Sequence, residues 1–313
     1  MIKTKNHNIY IVMYHYVREI KKSKYPNIKG LEFEDFKKQI NYFLKNFNIL
    51  SNDDFTEILR TKKIPKKKSI LLTFDDGYKD HYKYVYPYLK KQKIYANFYP
   101  PIMAIKNQKT LDVHKIQFIL EKERNRDKIL NLIFTFTKKY MNKNKDQLNI
   151  NKINTKSRFD DKKTMLIKKL LQNHIPLFYR RKITNKIFNL IMNTSEKEFS
   201  KKIYMNSSNV KELYNNNFTI GSHGYNHFLW GHASKNKQEE ELKKSINYFK
   251  KIKVLDENFS VCFPYGSYNN QTIELLKKYK IKFALTTKVG FVNNLNIKKP
   301  FTLPRFDTND FKN

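Results

Sequence analysis

The sequence contains very little cysteine, glycine and proline. Its one cysteine, Cys262, excludes a disulfide bond within the chain, which favours a reducing compartment. Only 7 glycines and 9 prolines accompany 40% hydrophobic and 15% aromatic residues, which excludes a disordered or fibrous protein. No apolar run approaches the roughly 18 residues that cross a bilayer, and the run at 9–13 is too short for a signal-peptide core. We therefore expect a folded, soluble, cytoplasmic protein.

Acidic residues are also scarce. The 313 residues include 28 Asp and Glu against 63 Lys and Arg, a formal net charge of +35. Such a charge attracts nucleic acid, anionic glycan or an anionic membrane. The lysines are spread along the whole chain, however, and no helix-turn-helix, zinc-finger or RNA-recognition signature is present. We expect a solvated lysine-rich surface, with weak contact to an anionic membrane surface or anionic glycan as the alternative, and we do not expect nucleic acid as a partner.

Strand and helix patterns alternate in the two outer parts of the chain. Runs of aliphatic, β-branched and aromatic residues, such as 9–14 and 69–74, are typical of buried strands, and helical spacing follows them. This alternation predicts an α/β fold with a parallel sheet. The middle of the chain shows only helical patterns with Lys/Asn-rich spacers. We therefore predict a fold in two parts, 1–109 and 207–313, separated by a helical insertion at 110–206.

Ionisable residues follow the predicted strands. Asp75 and Asp76 come directly after a buried strand, and Gly77 lets the chain turn so that both carboxylates can face one cavity. His223 and His227 follow another strand, four positions apart. Polar groups at the carboxyl ends of strands are typical of an α/β barrel. Taken alone, two turn-forming aspartates and a pair of structural histidines remain the alternative.

Three motifs, in this order, resemble those of the polysaccharide deacetylase family, which carries the NodB-homology domain and is similar to carbohydrate esterase family 4. They are TFDDGY at 73–78, SHGYNH at 222–227 and CFPYG at 262–266. The opening MYHYV at 13–17 resembles the branch of poly-N-acetylglucosamine and surface-glycan deacetylases. The resemblance implies a distorted (β/α) barrel of seven or eight strands. It also implies an enzyme that removes N-acetyl groups from a bacterial surface glycan or its precursor.

The resemblance also implies roles for individual residues. The implied ligands of one divalent metal ion are Asp76, His223 and His227. Zn²⁺ is the expected ion, with Co²⁺ or Ni²⁺ as alternatives, because this ligand set leaves a coordination position open. Asp75 would be the general base, and the backbone N–H of Tyr265 would stabilise the oxyanion. Pro264 and Tyr265 would contact the substrate.

The general acid is less well defined by the sequence. Many members of the family supply a histidine from a Leu-x-His motif near the C-terminus, but the last histidine here is His232. We predict that His15, at the end of the first strand, is the acid. A structural histidine packed beneath the site is the alternative for His15, and His81 and His232 are the other candidates.

Four further positions depart from the family pattern or extend it. Gly224 stands where Ser or Thr usually braces the metal-site loop. Cys262 stands where an Arg usually pairs with the base, and it is expected to be core filler. Arg305 is predicted to replace that Arg beside Asp75, with a surface residue as the alternative. Trp230 is predicted to form an apolar wall for a sugar ring, with a packing role as the alternative.

Two other functions are compatible with these residues. One is an O-acetyl esterase, because the same groups would serve any acyl carbonyl. The other is a catalytically silent glycan-binding or scaffold protein on the same fold. Loss of catalysis would explain why the Leu-x-His motif and the Arg that usually stands at position 262 are missing.

Overall fold

Strands and helices alternate along the chain in the computed structural model, which describes residues 9–107, 109–144, 146–157 and 160–311, without the side chain of Asn107. The strands of these residues are β1 (Ile9–Tyr14), β2 (Val17–Arg18), β3 (Leu31–Glu32), β4 (Asn48–Ile49), β5 (Ser69–Asp75), β6 (Asn97–Tyr99), β7 (Thr219–Ile220), β8 (Val261–Cys262), β9 (Ala284–Leu285) and β10 (Phe306–Asp307). The helices are α1 (Phe33–Asn46), α2 (Asn52–Thr61), α3 (Tyr86–Lys91), α4 (Ile102–Asn107), α5 (Asp112–Lys122), α6 (Arg126–Met141), α7 (Lys162–Lys169), α8 (Leu177–Met192), α9 (Glu196–Ile203), α10 (Ser207–Asn215), α11 (Lys235–Lys251) and α12 (Asn270–Lys278).

A parallel sheet forms the centre of the fold. Its strands run in the order β10-β1-β5-β6-β7, and β4 pairs with the start of β5. All seven residues of β5 are buried, because its two faces pack into two separate core clusters: Ile70, Leu72 and Phe74 on one face and Leu71 on the other. A strand buried on both faces is a continuous apolar run rather than an alternating one. The predicted strands 9–14 and 69–74 are thus confirmed.

Isolated bridges continue this sheet into a distorted barrel. Beyond β7, Ser222 bridges Val261 at the start of β8, and β8 pairs with β9. Leu285 of β9 then bridges Leu303, and β10 pairs with β1 three residues later. β1, β5, β6, β7, β8, β9 and β10 therefore form an irregular ring of parallel strands. The predicted α/β barrel is confirmed, with short strands and single bridges where a regular barrel has ladders.

Aromatic side chains fill the space between the sheet and the helices. Tyr14 of β1 stacks on Phe74 of β5 with ring centroids 4.8 Å apart, and Phe36 of α1 packs edge-on against Tyr14 at 5.3 Å. Such aromatic pairs add to the free energy gained from burying their area. α2 begins after its N-cap Ser51, whose hydroxyl accepts from the Asp54 N–H in a capping box.

The chain divides into two compact units by its internal contacts. The first unit consists of residues 1–20, 29–108 and 201–313 and carries the sheet. The second consists of 21–28 and 109–200 and is helical, with Tyr25 packed edge-on against Phe118 of α5 at 4.7 Å. The insertion boundaries of 110 and 206 stay predictions.

Among the described residues, none of the helices combines the length and apolar character needed to cross a bilayer.

Candidate active site

Side chains that follow β5 and β7 come together around Asp76. Asp76 Oδ1 lies 3.4 Å from Nε2 of His223 and 3.3 Å from Nε2 of His227. The three donor atoms lie within 4.8 Å of one another, and their side chains are buried. Ligand atoms that one zinc ion holds tetrahedrally at about 2.0–2.1 Å are separated by about 3.3 Å. The three residues implied as ligands are therefore brought together with a spacing that fits a single metal ion.

The loops that carry these residues adopt an unusual backbone conformation. Positive φ angles occur at Asp76 (70°) and Gly77 (65°), at Gly224 (76°) and His227 (52°), and at Tyr265 (58°). Residues other than glycine seldom adopt this left-handed conformation, and where they do, the surrounding structure enforces it. The sequence prediction that Gly77 turns the chain agrees with its φ angle. Each of the three motifs thus contains a turn with a left-handed residue next to the cluster around Asp76.

Hydrogen bonds orient two of the three implied ligands. His223 Nδ1 donates to the backbone carbonyl of Cys262 at 2.8 Å, which directs its Nε2 toward Asp76. The Tyr78 hydroxyl donates to Asp76 Oδ2 at 3.1 Å. Bonds of this kind fix the tautomer and the rotation of a metal ligand.

Asp75 forms a two-pronged ion pair with Arg305. Nη1 and Nη2 of Arg305 donate to Oδ1 and Oδ2 of Asp75 at 3.0 and 2.8 Å, and Arg305 is 1% exposed. The guanidinium also donates to Thr73 Oγ1 at 3.1 Å and, through Nε, to the Thr286 carbonyl at 2.9 Å. The predicted partnership of Arg305 with Asp75 agrees with this geometry, and the surface alternative is wrong. Arg305 directly precedes β10, which pairs with β1, and its side chain reaches Thr73 and Asp75 of β5.

This pairing determines the charge of Asp75. Burial alone would raise the pKa of Asp75, but the neighbouring positive charge, above all that of Arg305, outweighs burial and lowers the pKa to about 2. Cys262 completes the group: its thiol donates to Asp75 Oδ2 at 3.3 Å and accepts from Arg305 Nη2 at 3.0 Å. Burial raises the pKa of Cys262, so it remains a thiol, in keeping with the expected packing role.

His15 lies at the edge of the cluster. Its Nε2 is 4.0 Å from Asp76 Oδ2, and its side chain is 39% exposed, so His15 is not the buried packing residue weighed as the alternative. His81 is fully buried and donates from Nε2 to the His15 carbonyl at 2.7 Å. Burial lowers the pKa of His81 to about 4. His81 therefore supports the backbone of His15 and has no exposed surface for a substrate, while His232 is an exposed residue of a 3₁₀ turn.

The three residues predicted to contact substrate have different environments. Tyr265 is 40% exposed, and its ring lies 4.9 Å from the imidazole of His227. Pro264 is buried beside it. Trp230 is fully buried in the hydrophobic core, so its indole offers no wall to a sugar. Of the two roles weighed for Trp230, the structure supports packing and contradicts substrate contact.

The loop that carries Gly224 is held by a residue that the sequence analysis missed. Glu241 of α11 is fully buried, and its Oε2 accepts from the backbone N–H groups of Tyr225 and Asn226 at 3.0 and 2.8 Å. Ser222 Oγ accepts from the Gly224 N–H at 3.1 Å. The support expected from Ser or Thr at 224 thus comes from elsewhere. The signal was the helical spacing of Gln238, Glu241, Leu242 and Ser245, which places Glu241 on the buried face.

Comparisons with known proteins agree with this geometry. The sequence profile described as "Polysaccharide deacetylase" matches residues 62–117 and 156–284. No curated protein sequence matches the chain.

Solved structures that include two deacetylases share the fold at low sequence identity. The deacetylase PplD of Streptococcus pyogenes, in complex with acetate, is 17% identical with a TM-score of 0.60, covering 97% of this chain and 93% of its own. IcaB from Ammonifex degensii is 14% identical with a TM-score of 0.59, covering 98% and 94%. The BpsB deacetylase domain from Bordetella bronchiseptica is 13% identical with a TM-score of 0.53, covering 97% of each chain.

The family profile covers more than half of the chain and spans all three motifs. The same motifs supply the clustered carboxylates and histidines described above. With its profile match, its barrel and its clustered motif residues, the chain belongs to the polysaccharide deacetylase family and is a carbohydrate deacetylase.

Proposed function

We propose that this deacetylase hydrolyses the N-acetyl group of a surface glycan or its precursor with Zn²⁺ held by Asp76, His223 and His227. The observation that carries the proposal is the spacing of the three donor atoms beside the buried, ionised Asp75. When bound, such an ion lowers the pKa of water toward about 7 and polarises the acetamide carbonyl.

The chain's own residues move the protons. Asp75 accepts a proton from the attacking water, and its low pKa keeps it ionised and ready at neutral pH. The backbone N–H of Tyr265 donates a hydrogen bond to the oxyanion that forms on the acetyl carbon. His15 then donates a proton to the amine as the C–N bond breaks and acetate leaves. Its partial exposure at the cluster edge gives it access to substrate.

Acetate release tests this function directly. Purified protein loaded with Zn²⁺, Co²⁺ or Ni²⁺ should release acetate from N-acetylglucosamine oligomers and leave free amines. Release from O-acetylated sugars alone would instead assign an esterase. Asp76→Ala and His227→Ala should each weaken metal binding strongly and abolish acetate release, and activity retained in either variant would refute the ligand assignment.

We further propose that the helical unit contacts an anionic membrane surface through α8. Leu177 and Phe178 at the start of this helix are 46% and 74% exposed. Lys182 and Lys186 follow Phe178 on successive turns and are exposed, and α8 contains four cationic and no acidic residues. An exposed aromatic side chain can insert among the lipid headgroups, and lysines on a helix without acidic residues are attracted to anionic lipids.

A further inference from the structure

Glu241 is a carboxylate buried inside the protein with hydrogen bonds to a single loop. Its Oε2 accepts from the N–H groups of two consecutive residues, Tyr225 and Asn226, and its Oε1 accepts from the side-chain amide of Asn226. Burying a carboxylate is unfavourable unless several donors surround it. All of these donors belong to the segment between His223 and His227. The bonds of Glu241 thus act on that segment.

The segment has a conformation that needs support. It begins at Gly224 and ends at His227, both with positive φ angles. A histidine in this conformation is disfavoured unless its neighbours are fixed. Asn226, which Glu241 holds by both its backbone and its side chain, directly precedes His227. A shift of Asn226 would therefore move the imidazole of His227 away from Asp76.

His223 is held by different contacts. The Ser222 N–H donates to the Ser260 carbonyl at 3.0 Å, and His223 Nδ1 donates to the Cys262 carbonyl at 2.8 Å. These bonds link His223 to the sheet and do not involve α11. Loss of Glu241 should therefore affect His227 and leave His223 in place.

We infer that Glu241 is a positioning residue of the active site, which holds His227 at Asp76 by fixing the backbone of residues 225 and 226. This inference rests on the proposed assignment of Asp76, His223 and His227 as metal ligands. It predicts that Glu241, without touching the ion, controls the affinity of the site for metal.

Zinc affinity, measured by competition with a chromophoric chelator, tests the inference without any turnover assay. Glu241→Ala should weaken Zn²⁺ binding about 10–100-fold, the range for residues that orient metal ligands. Glu241→Gln, which keeps one acceptor oxygen, should lie between this variant and the wild type. The matched control is Glu240→Gln on the same helix, because the side chain of Glu240 is 41% exposed and pairs with Lys237 and Lys244 at the surface. This variant should bind Zn²⁺ within about twofold of the wild type.

A double-mutant cycle with His227 decides whether Glu241 acts through that residue. In a His227→Ala background, Glu241→Gln should have no further effect on Zn²⁺ affinity, because the ligand that it positions is gone. An equal loss in both backgrounds would overturn the inference and assign Glu241 a general structural role. If His227→Ala alone leaves Zn²⁺ affinity unchanged, the ligand assignment itself is wrong; if His227→Ala weakens binding and both Glu241 variants match the wild type, only the role of Glu241 is wrong.

Discussion

The ionisation of Asp75 depends on Arg305, which lies 230 positions away in the sequence but pairs with it in the fold. Without Arg305, burial would raise the pKa of Asp75, and the base would be protonated at a higher pH. Arg305→Ala should therefore shift the acidic limb of the pH dependence of kcat/KM upward. It should also lower the free energy of unfolding by about 3–5 kcal/mol, because it leaves a buried charge unpaired. Urea denaturation and pH profiles measure the two effects. Arg60→Ala, which removes an exposed ion pair with Glu57, should change neither.

The same pair sets a pH window for stability. The pKa of Asp75 is about 2 in the folded protein, below its ordinary value of 3.8. The folded state therefore binds this proton less tightly than the unfolded state, so the stabilisation is fully present above about pH 4 and is lost as the pH falls through 2. Thermal unfolding midpoints of the wild type should decline over that interval. Arg305→Ala should lose this component of the decline.

His15 is tested by separating turnover from metal binding. His15→Ala should reduce kcat by about 10²–10⁴-fold, the contribution of a general acid, while Zn²⁺ content stays at the wild-type level. His232→Ala, at an exposed histidine outside the metal cluster, is the comparison variant. If turnover falls in His232→Ala and persists in His15→Ala, the acid is His232.

At the scale of elements, the turn after β5 decides where Asp75 and Asp76 point. A Cβ atom added at Gly77 would lie 2.7 Å from the Cβ of Pro100, and the φ angle of Gly77 is 65°. Gly77→Ala should therefore destabilise the protein by at least about 1–2 kcal/mol, the usual cost of this conformation for a residue with a side chain, and should weaken Zn²⁺ binding.

Gly290→Ala provides the matched control for this turn. At Gly290 the added atom would meet Pro304 at 3.5 Å, an ordinary contact, and the backbone has no left-handed φ angle. Thermal unfolding and Zn²⁺ titration of both variants measure the difference. Equal stability of the two variants would show that the turn after β5 tolerates a side chain.

The elements most accurately predicted from the sequence are those whose own residues determine them. β1 has the predicted bounds, because a strand that is almost wholly buried is a continuous apolar run. β2, β3 and β10 have two residues each, too few for any periodicity. Their positions depend on pairing with other strands, which local sequence does not encode.

The residues of the candidate site also divide into those that local sequence predicts and those that depend on contacts distant in sequence. The motif residues could be found because each follows a predicted strand and contacts form where strand ends meet. Glu241 was missed because a glutamate on a helix rich in Lys and Glu resembles a solvated residue, although its spacing with Leu242 and Ser245 places it on the buried face. Trp230 was misinterpreted because sequence does not distinguish an indole beside a cavity from one inside the core. The cellular location and the identity of the metal stay predictions.

At the scale of the whole molecule, the proposed contact through α8 predicts binding to anionic bilayers. Vesicles that contain phosphatidylserine should bind the protein, and vesicles of pure phosphatidylcholine should not. Lys182→Glu with Lys186→Glu should weaken binding at least tenfold, since each lysine near such a surface contributes about 1 kcal/mol. Vesicle co-sedimentation at fixed ionic strength measures this.

Two comparisons identify the contact face. Lys66→Glu with Lys67→Glu makes the same charge change at two exposed lysines elsewhere and should have a smaller effect. Phe178→Ser should weaken binding to vesicles and leave binding to a soluble anionic polysaccharide unchanged. If both lysine pairs have equal effects, the attraction is a property of the overall charge, and α8 is not the docking face.

The ion pair of Asp75 and Arg305 joins residues 230 positions apart. During synthesis on the ribosome, the first two motifs emerge long before the arginine that keeps the base ionised. Contacts of such high sequence separation also form slowly, because a long loop must close first. A nascent or partly refolded chain can therefore gather the histidines and Asp76 while Asp75 still lacks its partner. Competence for catalysis should appear as one of the last events of folding, when β10 closes against β1.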